Sequence, residues 1–306
     1  MARSVPQTRK AEAFDSALTA VAAQTDAMLA HLLEPCADDV PRLWDAMRYA
    51  ALAGGKRLRP FLVLAASDIC GGERNSALRV AAAIEMMHTY SLVHDDLPAM
   101  DDDDMRRGQP SLHREFDEAT AILAGDALLT LAFEVLSDPA THRDATVRAE
   151  LVLGLARAGG PRGMAGGQML DLEAETDETS DRETVYRLES MKTGALFAWA
   201  CEAGAVVADA DPDARERLRS FGVEYGMAFQ ITDDILDEVG DAEEVGKAVG
   251  KDSGRGKATL VSLAGLEAAR SAAIDHARRG SEFLDIFGEK ADLLRAAADR
   301  LIDRRV

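Results

Sequence analysis

The 306-residue chain reads as one large all-α domain. Three observations predict this. Apolar positions recur at the helical period along nearly every segment, and no stretch alternates cleanly for the length of a strand. Hydrophobic residues make up 47% of the chain but aromatics only 5%, and alanine and leucine dominate the apolar set, which favours helix over strand. Proline and glycine cluster between the periodic segments, with no fixed-period repeat and no low-complexity linker to divide 1–306 into two domains.

Residues 11–33 give the first amphipathic helix and 40–53 the second, started by Pro41 near its first turn. Gly54 and Gly55 break it before Arg59-Pro60 opens a third helix over 61–70. Gly71-Gly72 form a turn, and 76–97 read as a long, mostly buried helix. Further helices are expected at 117–137, 143–158, 163–173, 182–207, 211–239, 257–279 and 287–303. Several of these are apolar enough to be buried all round.

The formal net charge of −19 argues against a nucleic-acid partner. It also repels an anionic substrate, which would need bound cations or a tight Lys/Arg cluster. Cys36, Cys70 and Cys201 lie far apart without metal-ligand spacing, as expected of free thiols in a cytoplasmic protein. Arg3, Arg9 and Lys10 are followed at once by Glu12 and Asp15, so no apolar signal core forms. No apolar run approaches the ~20 residues of a membrane span, and a soluble chain is expected.

The ten positions from Asp95 to Asp104 carry six carboxylates, Asp95, Asp96 and Asp101 to Asp104, at the end of an apolar helix that reaches His94. A solvated acidic helix end is the ordinary reading of such a run. Acidic groups are unfavourable at a helix C-terminus, however, and the preceding residues 84–93 read as core. A hard dication resolves both difficulties, because magnesium takes oxygen ligands and leaves positions for water and phosphate. In an ideal helix Asp95 shares a face with Asp102 and stands roughly 120° from Asp101. Pro98 should kink or end the helix, so spacing leaves open which later aspartate turns back to Asp95. Arg106, Arg107 and Gly108 follow, either as charge compensation or as ligands for a diphosphate.

A second cluster, Phe-Gln-Ile-Thr-Asp-Asp-Ile-Leu-Asp at 229–237, repeats the theme. Asp233 and Asp237 stand at i and i+4 on one helix face, about 6 Å apart. Two such clusters in apolar helices suggest two walls of one metal-lined cavity. The cations needed to offset the field are Lys56, Arg57 and Arg59 before a buried helix, Lys192 in a Lys-Thr-Gly that interrupts another, and Lys247, Lys251 and Lys257 in a glycine-rich stretch. A kink at Gly194 would turn Lys192 into the cavity. None of these is a Walker motif. His88, seven residues before Asp95, lies on nearly the same face, in a structural or a ligand role.

These residues resemble the trans-isoprenyl diphosphate synthases over essentially the whole chain. The matching motifs are Gly-Gly-Lys-Arg-Leu-Arg-Pro at 54–60, the aspartate-rich motif at 95–101 with Arg106-Arg107-Gly108, Gly-Asp-Ala-Leu at 125–128, Gly-Gly-Gln at 166–168, Lys-Thr-Gly at 192–194 and the cluster at 229–237. The resemblance implies a helical bundle around a deep central cavity, usually a homodimer, that joins an allylic diphosphate to isopentenyl diphosphate. It further implies three magnesium ions, with Asp95, Asp101 and Asp233 as direct ligands and Asp96, Asp234 and Asp237 as further ligands or holders of metal-bound water. Arg106, Lys192, Thr193, Gln230, Lys247 and Lys257 would hold the allylic diphosphate, and Gly55, Lys56, Arg59, His88 and Arg107 the isopentenyl diphosphate. Asp95, Asp101, Arg106, Lys192, Asp233 and Lys247 would carry the catalysis.

The first motif has two residues more than its shortest form, as in bacterial farnesyl synthases and plant-type geranylgeranyl synthases. Product length in the family is thought to depend on residues just upstream, here Tyr90, Ser91 and Met87. A tyrosine five residues before Asp95 favours a C15 product, with a C20 product as the alternative; the ordinary reading is a core tyrosine. A class I terpene cyclase should carry a mixed Asn/Asp, Ser/Thr, Glu motif in place of 233–237 and lack the 54–60 cations. A non-catalytic subunit should have lost carboxylates or Lys192, and neither loss is present.

Overall fold

The computed structural model describes residues 5–174, 181–239 and 259–303. These form helices α1 (Val5–Leu32), α2 (Pro41–Ala51), α3 (Leu58–Cys70), α4 (Arg74–Asp95), a short α5 (Leu112–Glu115), α6 (Glu118–Ser137), α7 (Ala145–Gly159), α8 (Met164–Ala174), α9 (Arg182–Glu189), α10 (Ala195–Val207), α11 (Pro212–Val239), α12 (Leu260–Ala264), α13 (Leu266–Phe283) and α14 (Asp292–Ile302). Local chemistry sets many of the starts. Glu73 accepts the Asn75 and Ser76 amides at 2.9 and 2.6 Å to begin α4, while Asp117, Asp144 and Asp181 do the same for α6, α7 and α9. The Thr259–Ser262 capping box starts α12.

The bundle is the all-α fold the periodicity predicts, with α4, α3 and α10 at its centre. Every residue of α10 except Ala195 and Glu202 is buried, which is why this segment lacks an amphipathic pattern. Phe197 of α10 meets Tyr225 of α11 edge-on at 5.4 Å, and Tyr225 meets Phe221 at 5.7 Å. Small residues set the distance between these helices. A Cβ at Gly222 would lie 2.7 Å from the Ala198 Cα, and one at Gly226 would lie 2.9 Å from the Gly194 Cα, so neither position admits alanine without moving α11.

Five expectations need correction. The helix expected at 76–97 stops at Asp95, three residues before Pro98, because Pro98 has no amide to donate to the His94 carbonyl and steers Leu97 away from the helical region. The helix expected over 182–207 contains a π-helical turn at Ser190–Gly194. The one expected over 257–279 is split at Gly265, whose φ of 83° an L side chain rarely adopts. The last begins as a 3-10 segment, Asp285–Ala291, before α14. A two-residue hairpin, β1 (Met105–Arg106) paired antiparallel with β2 (Gln109–Pro110), was not expected; it is too short for alternation to announce it. Finally, α6 is by length and composition apolar enough to cross a membrane, contrary to the reading of apolar runs, although it packs as a bundle helix against α4 and α2.

Candidate active site

The first wall of the site is the end of α4. Asp95 is its last residue, and the chain then folds back so that the Asp101 amide donates to the Asp95 carbonyl at 2.8 Å. Burial is the main cause that pushes the Asp95 carboxyl up to about 6, and the charges of Asp101 and Asp96 add to it, while Lys192 and Arg106 oppose it. Asp102 takes a left-handed φ of 51°, is 59% exposed and turns toward Arg114 at 4.0 Å. The ideal-helix pairing of Asp95 with Asp102 therefore fails, because there is no helix between them.

Asp96 is 2% exposed and grips Arg106, whose Nε donates to its two carboxylate oxygens at 2.9 and 3.2 Å. Its carboxyl nonetheless titrates above the ordinary range, burial outweighing the guanidinium. The β1–β2 hairpin brings Arg106 back onto Asp96, and Arg107, with a φ of 52°, onto the Gly54 carbonyl. Gly55 has a φ of 135°, and a Cβ there would stand 2.9 Å from the Arg107 guanidinium carbon. The glycine is needed both for its backbone and for the room it leaves.

Behind this wall lies a basic pocket. Arg57, Arg59, Arg106 and Arg107 all act electrostatically on the partly buried His88, and with burial as the largest cause they hold its imidazole well below the ordinary histidine range. His88 is thus neutral, a hydrogen-bonding group and not a third cation. Arg59 stacks its guanidinium over Phe197 at 4.5 Å, its Nε is buried without a partner, and burial lowers it to about 10. Lys56 is exposed. Arg57 behaves differently from its neighbours: its buried side chain donates to Glu85 at 2.5 Å, to Asp26 at 2.9 Å and to the Ala51 carbonyl at 2.7 Å. Of the three cations at 56–59, Arg57 is consumed by the fold.

The second wall is built on the π-helical turn and α11. Lys192 in the turn pairs with Asp171 of α8 at 2.5 Å and is the main cation lowering Asp95. A Cβ at Gly167 would fall 2.2 Å from the Lys192 backbone nitrogen, so the Gly-Gly-Gln motif lets α8 approach the turn. The Thr193 hydroxyl donates to Gln230 Oε1 at 2.9 Å, and Gln230 Nε2 donates to Asp234 Oδ1 at 2.8 Å. Asp234 is buried against Glu189, whose carboxyl is driven far above the ordinary range by burial first and Asp234 second. Asp233 is exposed and Asp237 partly so. The site thus joins Asp95 to Lys192, Thr193, Gln230 and Asp234, while Lys247, Lys251 and Lys257 lie outside the described residues.

The sequence profile of polyprenyl synthetases matches residues 40–286. The chain belongs to the polyprenyl synthetase family. This polyprenyl synthetase is 44% identical to the farnesyl diphosphate synthase of Escherichia coli over 95% of this chain and 99% of the relative. It is 42% identical to that of Bacillus subtilis over 87% and 90%. Among solved structures it resembles an FPP/GFPP synthase from Zymomonas mobilis in its apo form, with a TM-score of 0.86 and 45% identity over 95% of this chain and 99% of that one.

Three residues of this polyprenyl synthetase escaped sequence reasoning: Asp171, Glu85 and Glu189. Glu85 is an isolated carboxylate in an apolar stretch of its helix, the signal that could have found it; Asp171 stands near Glu173, and Glu189 ends a helix that also carries Arg182, Glu183 and Arg187, so no pattern marks them. The residues expected to govern product length are dispersed. Met87 is buried with its sulfur where a Cβ on Gly159 of α7 would come within 2.8 Å, Ser91 donates to the His88 carbonyl at 2.8 Å, and Tyr90 sets its ring edge-on to His94 at 5.6 Å.

Proposed function

We propose that this protein is a farnesyl diphosphate synthase, a prenyltransferase that condenses isopentenyl diphosphate head-to-tail with dimethylallyl and then geranyl diphosphate. One observation carries this reading: a carboxylate wall at Asp95 and Asp101 stands beside a separate pocket of Arg59, Arg107 and neutral His88. Two diphosphates can then be recognised by opposite means, one through bridging metal and one by direct cations. A hydrolase or cyclase acting on a single diphosphate has no use for the second pocket.

The donor set fits magnesium. Asp95, Asp101, Asp233 and Asp237 offer only hard oxygens, and the like charges and burial that raise Asp95 act in the direction a dication would reverse. Such ions, three by the family's pattern, would neutralise the allylic diphosphate as it leaves. Asp95, Asp101 and Asp233 would be direct ligands, with Asp237 supporting them. Asp96 and Asp234, buried and engaged by Arg106 and Gln230, would act by holding those partners in place.

Arg106, Lys192, Thr193 and Gln230, with Lys247 and Lys257, would grip the allylic diphosphate and stabilise its charge as the C–O bond breaks. Gly55, Lys56, Arg59, His88 and Arg107 would fix isopentenyl diphosphate so that its double bond meets the allylic cation. The new C–C bond leaves a cation that loses a proton to the departed diphosphate, and no protein nucleophile is required. Incubation with magnesium, dimethylallyl diphosphate and isopentenyl diphosphate should yield farnesyl diphosphate; formation of no prenyl product would sink the proposal. A mainly C20 alcohol after dephosphorylation would assign a geranylgeranyl synthase instead.

Tyr90 would set product length by standing about one and a half turns below Asp95. Tyr90→Ala should therefore shift the dephosphorylated products toward longer chains on chromatography, and an unchanged distribution would remove Tyr90 from this role. A homodimer fits α6, whose apolar surface includes Ile122 and Leu123 at 45% and 59% exposure; sedimentation at the monomer mass would refute it. The three free cysteines suit a cytoplasmic location.

A further inference from the structure

The base of the β1–β2 hairpin gathers a second set of ligand-type side chains. The Ser111 amide donates to the Asp104 carbonyl at 2.9 Å, next to the Met105–Pro110 pair, and so holds 102–104 against 111–113. Across that junction Asp102, Asp104 and His113 each bring one ligand-capable atom within 4.8 Å of the others. Two exposed aspartates alone would signify nothing. His113 changes the case. It is 6% exposed, its Nδ1 lies 3.3 Å from the buried Ser111 hydroxyl, and its Nε2 is sealed from solvent with no hydrogen-bond partner. With Nδ1 beside the Ser111 hydroxyl, Nε2 is the ring nitrogen left without a partner. A ring held through one nitrogen with the other unpaired is the arrangement a metal-binding histidine requires.

We propose that Asp102, Asp104 and His113 form a binding site for a borderline divalent transition metal of the zinc or cobalt(II) kind, separate from the diphosphate cage. The chemistry separates the two. The cage offers carboxylate oxygens, which suit magnesium, whereas an imidazole with two carboxylates selects a borderline ion. Asp102 and Asp104 are 59% and 67% exposed, so water completes the coordination. Arg114 is the resident competitor: its Nε donates to Asp104 Oδ1 at 2.5 Å and its Nη2 lies 4.0 Å from Asp102 Oδ1. Half-exposed, it swings to solvent when the metal enters. The metal would tie together the two ends of the hairpin that carries Arg106 and Arg107.

The test is titration of the full-length protein with Co2+ in saturating Mg2+, read by visible absorption. One Co2+ per chain is expected, with a ligand-field band from nitrogen coordination. Asp102→Asn and Asp104→Asn, both at exposed positions, should each weaken binding by about tenfold or more. Arg114→Gln should strengthen it by removing the competing cation, whereas a purely structural role for the Arg114–Asp104 pair predicts loosening and weaker binding. Asp95→Asn should leave the band in place. The proposal is overturned if no Co2+ is retained in Mg2+, if Arg114→Gln weakens binding, or if Asp95→Asn abolishes the band while Asp102→Asn preserves it.

Discussion

Asp95→Asn is expected to lower kcat/KM for condensation by about 10²–10³-fold and, at the same time, to stabilise the metal-free protein. The two effects have one origin. Asp95 is a carboxylate held at a helix C-terminus, largely buried, with Asp96 and Asp101 beside it, and its carboxyl is raised to about 6. A carboxyl raised from its unfolded value near 3.9 imposes no cost below pH ~4, takes away stability as pH climbs to about 6, and leaves a constant deficit above that, of up to about 3 kcal/mol. Asparagine keeps the shape and removes the charge, but also gives up the attraction to Lys192, so a gain of about 1–2 kcal/mol is expected at pH 7 and none at pH 4. Thermal unfolding in EDTA at the two pH values measures it. Magnesium should protect the native protein more than the variant. A variant as active as the parent, or one less stable than it in EDTA at pH 7, would contradict this account of Asp95.

Arg57→Ala and Arg59→Ala, two residues apart, are expected to fail in different ways. The Arg57 side chain has no exposed surface and faces Glu85, itself 3% exposed. Removing the arginine leaves a buried carboxylate short of its main partner, which costs about 3–5 kcal/mol. Arg107, 3.7 Å from Glu85, limits the loss only in part. Arg59 sits in a different condition: its charge is disfavoured by burial, with Glu85 favouring it and Arg107 opposing it, and its Nε has no partner. Its removal should change stability little but raise KM for isopentenyl diphosphate by tenfold or so, the value of a charge-assisted contact. Denaturant unfolding and steady-state kinetics on both variants separate them. Equal stabilities would refute the division of labour.

Much of this was legible beforehand, and the limits have physical causes. Helical periodicity located the bundle because most helices bury one face, and α10, buried on nearly all sides, was read as part of one helical pattern over 182–207. The aspartate clusters stood out because charge at the end of an apolar helix has no ordinary explanation. What periodicity could not supply was the path of the chain after Asp95. Once α4 ended, ideal-helix angles no longer applied, and the return of Asp101 rests on a backbone bond from a loop residue to the last residue of the helix. Arg57 and Arg59 look alike in sequence; only the presence of Glu85, a carboxylate 28 residues on, tells the structural one from the functional one. The Asp171–Lys192 and Glu189–Asp234 pairs are contacts between helices, which no single-helix pattern encodes.

The π-helical turn at Ser190–Gly194 has a consequence for how this protein tolerates genetic change. Such a turn is an α-helix carrying one surplus residue. Loss of a single codon within it would let the segment relax into a regular helix without disturbing the apolar run that follows. The residues inside the turn would close up by one position, each turning by about 100° about the helix axis, while the flanking segments keep their facing. Lys192 and Thr193 would leave Asp171 and Gln230, although neither need itself be mutated. The aim of the site is therefore written in the length of this stretch as much as in its letters, and an in-frame deletion here would be more damaging than most substitutions.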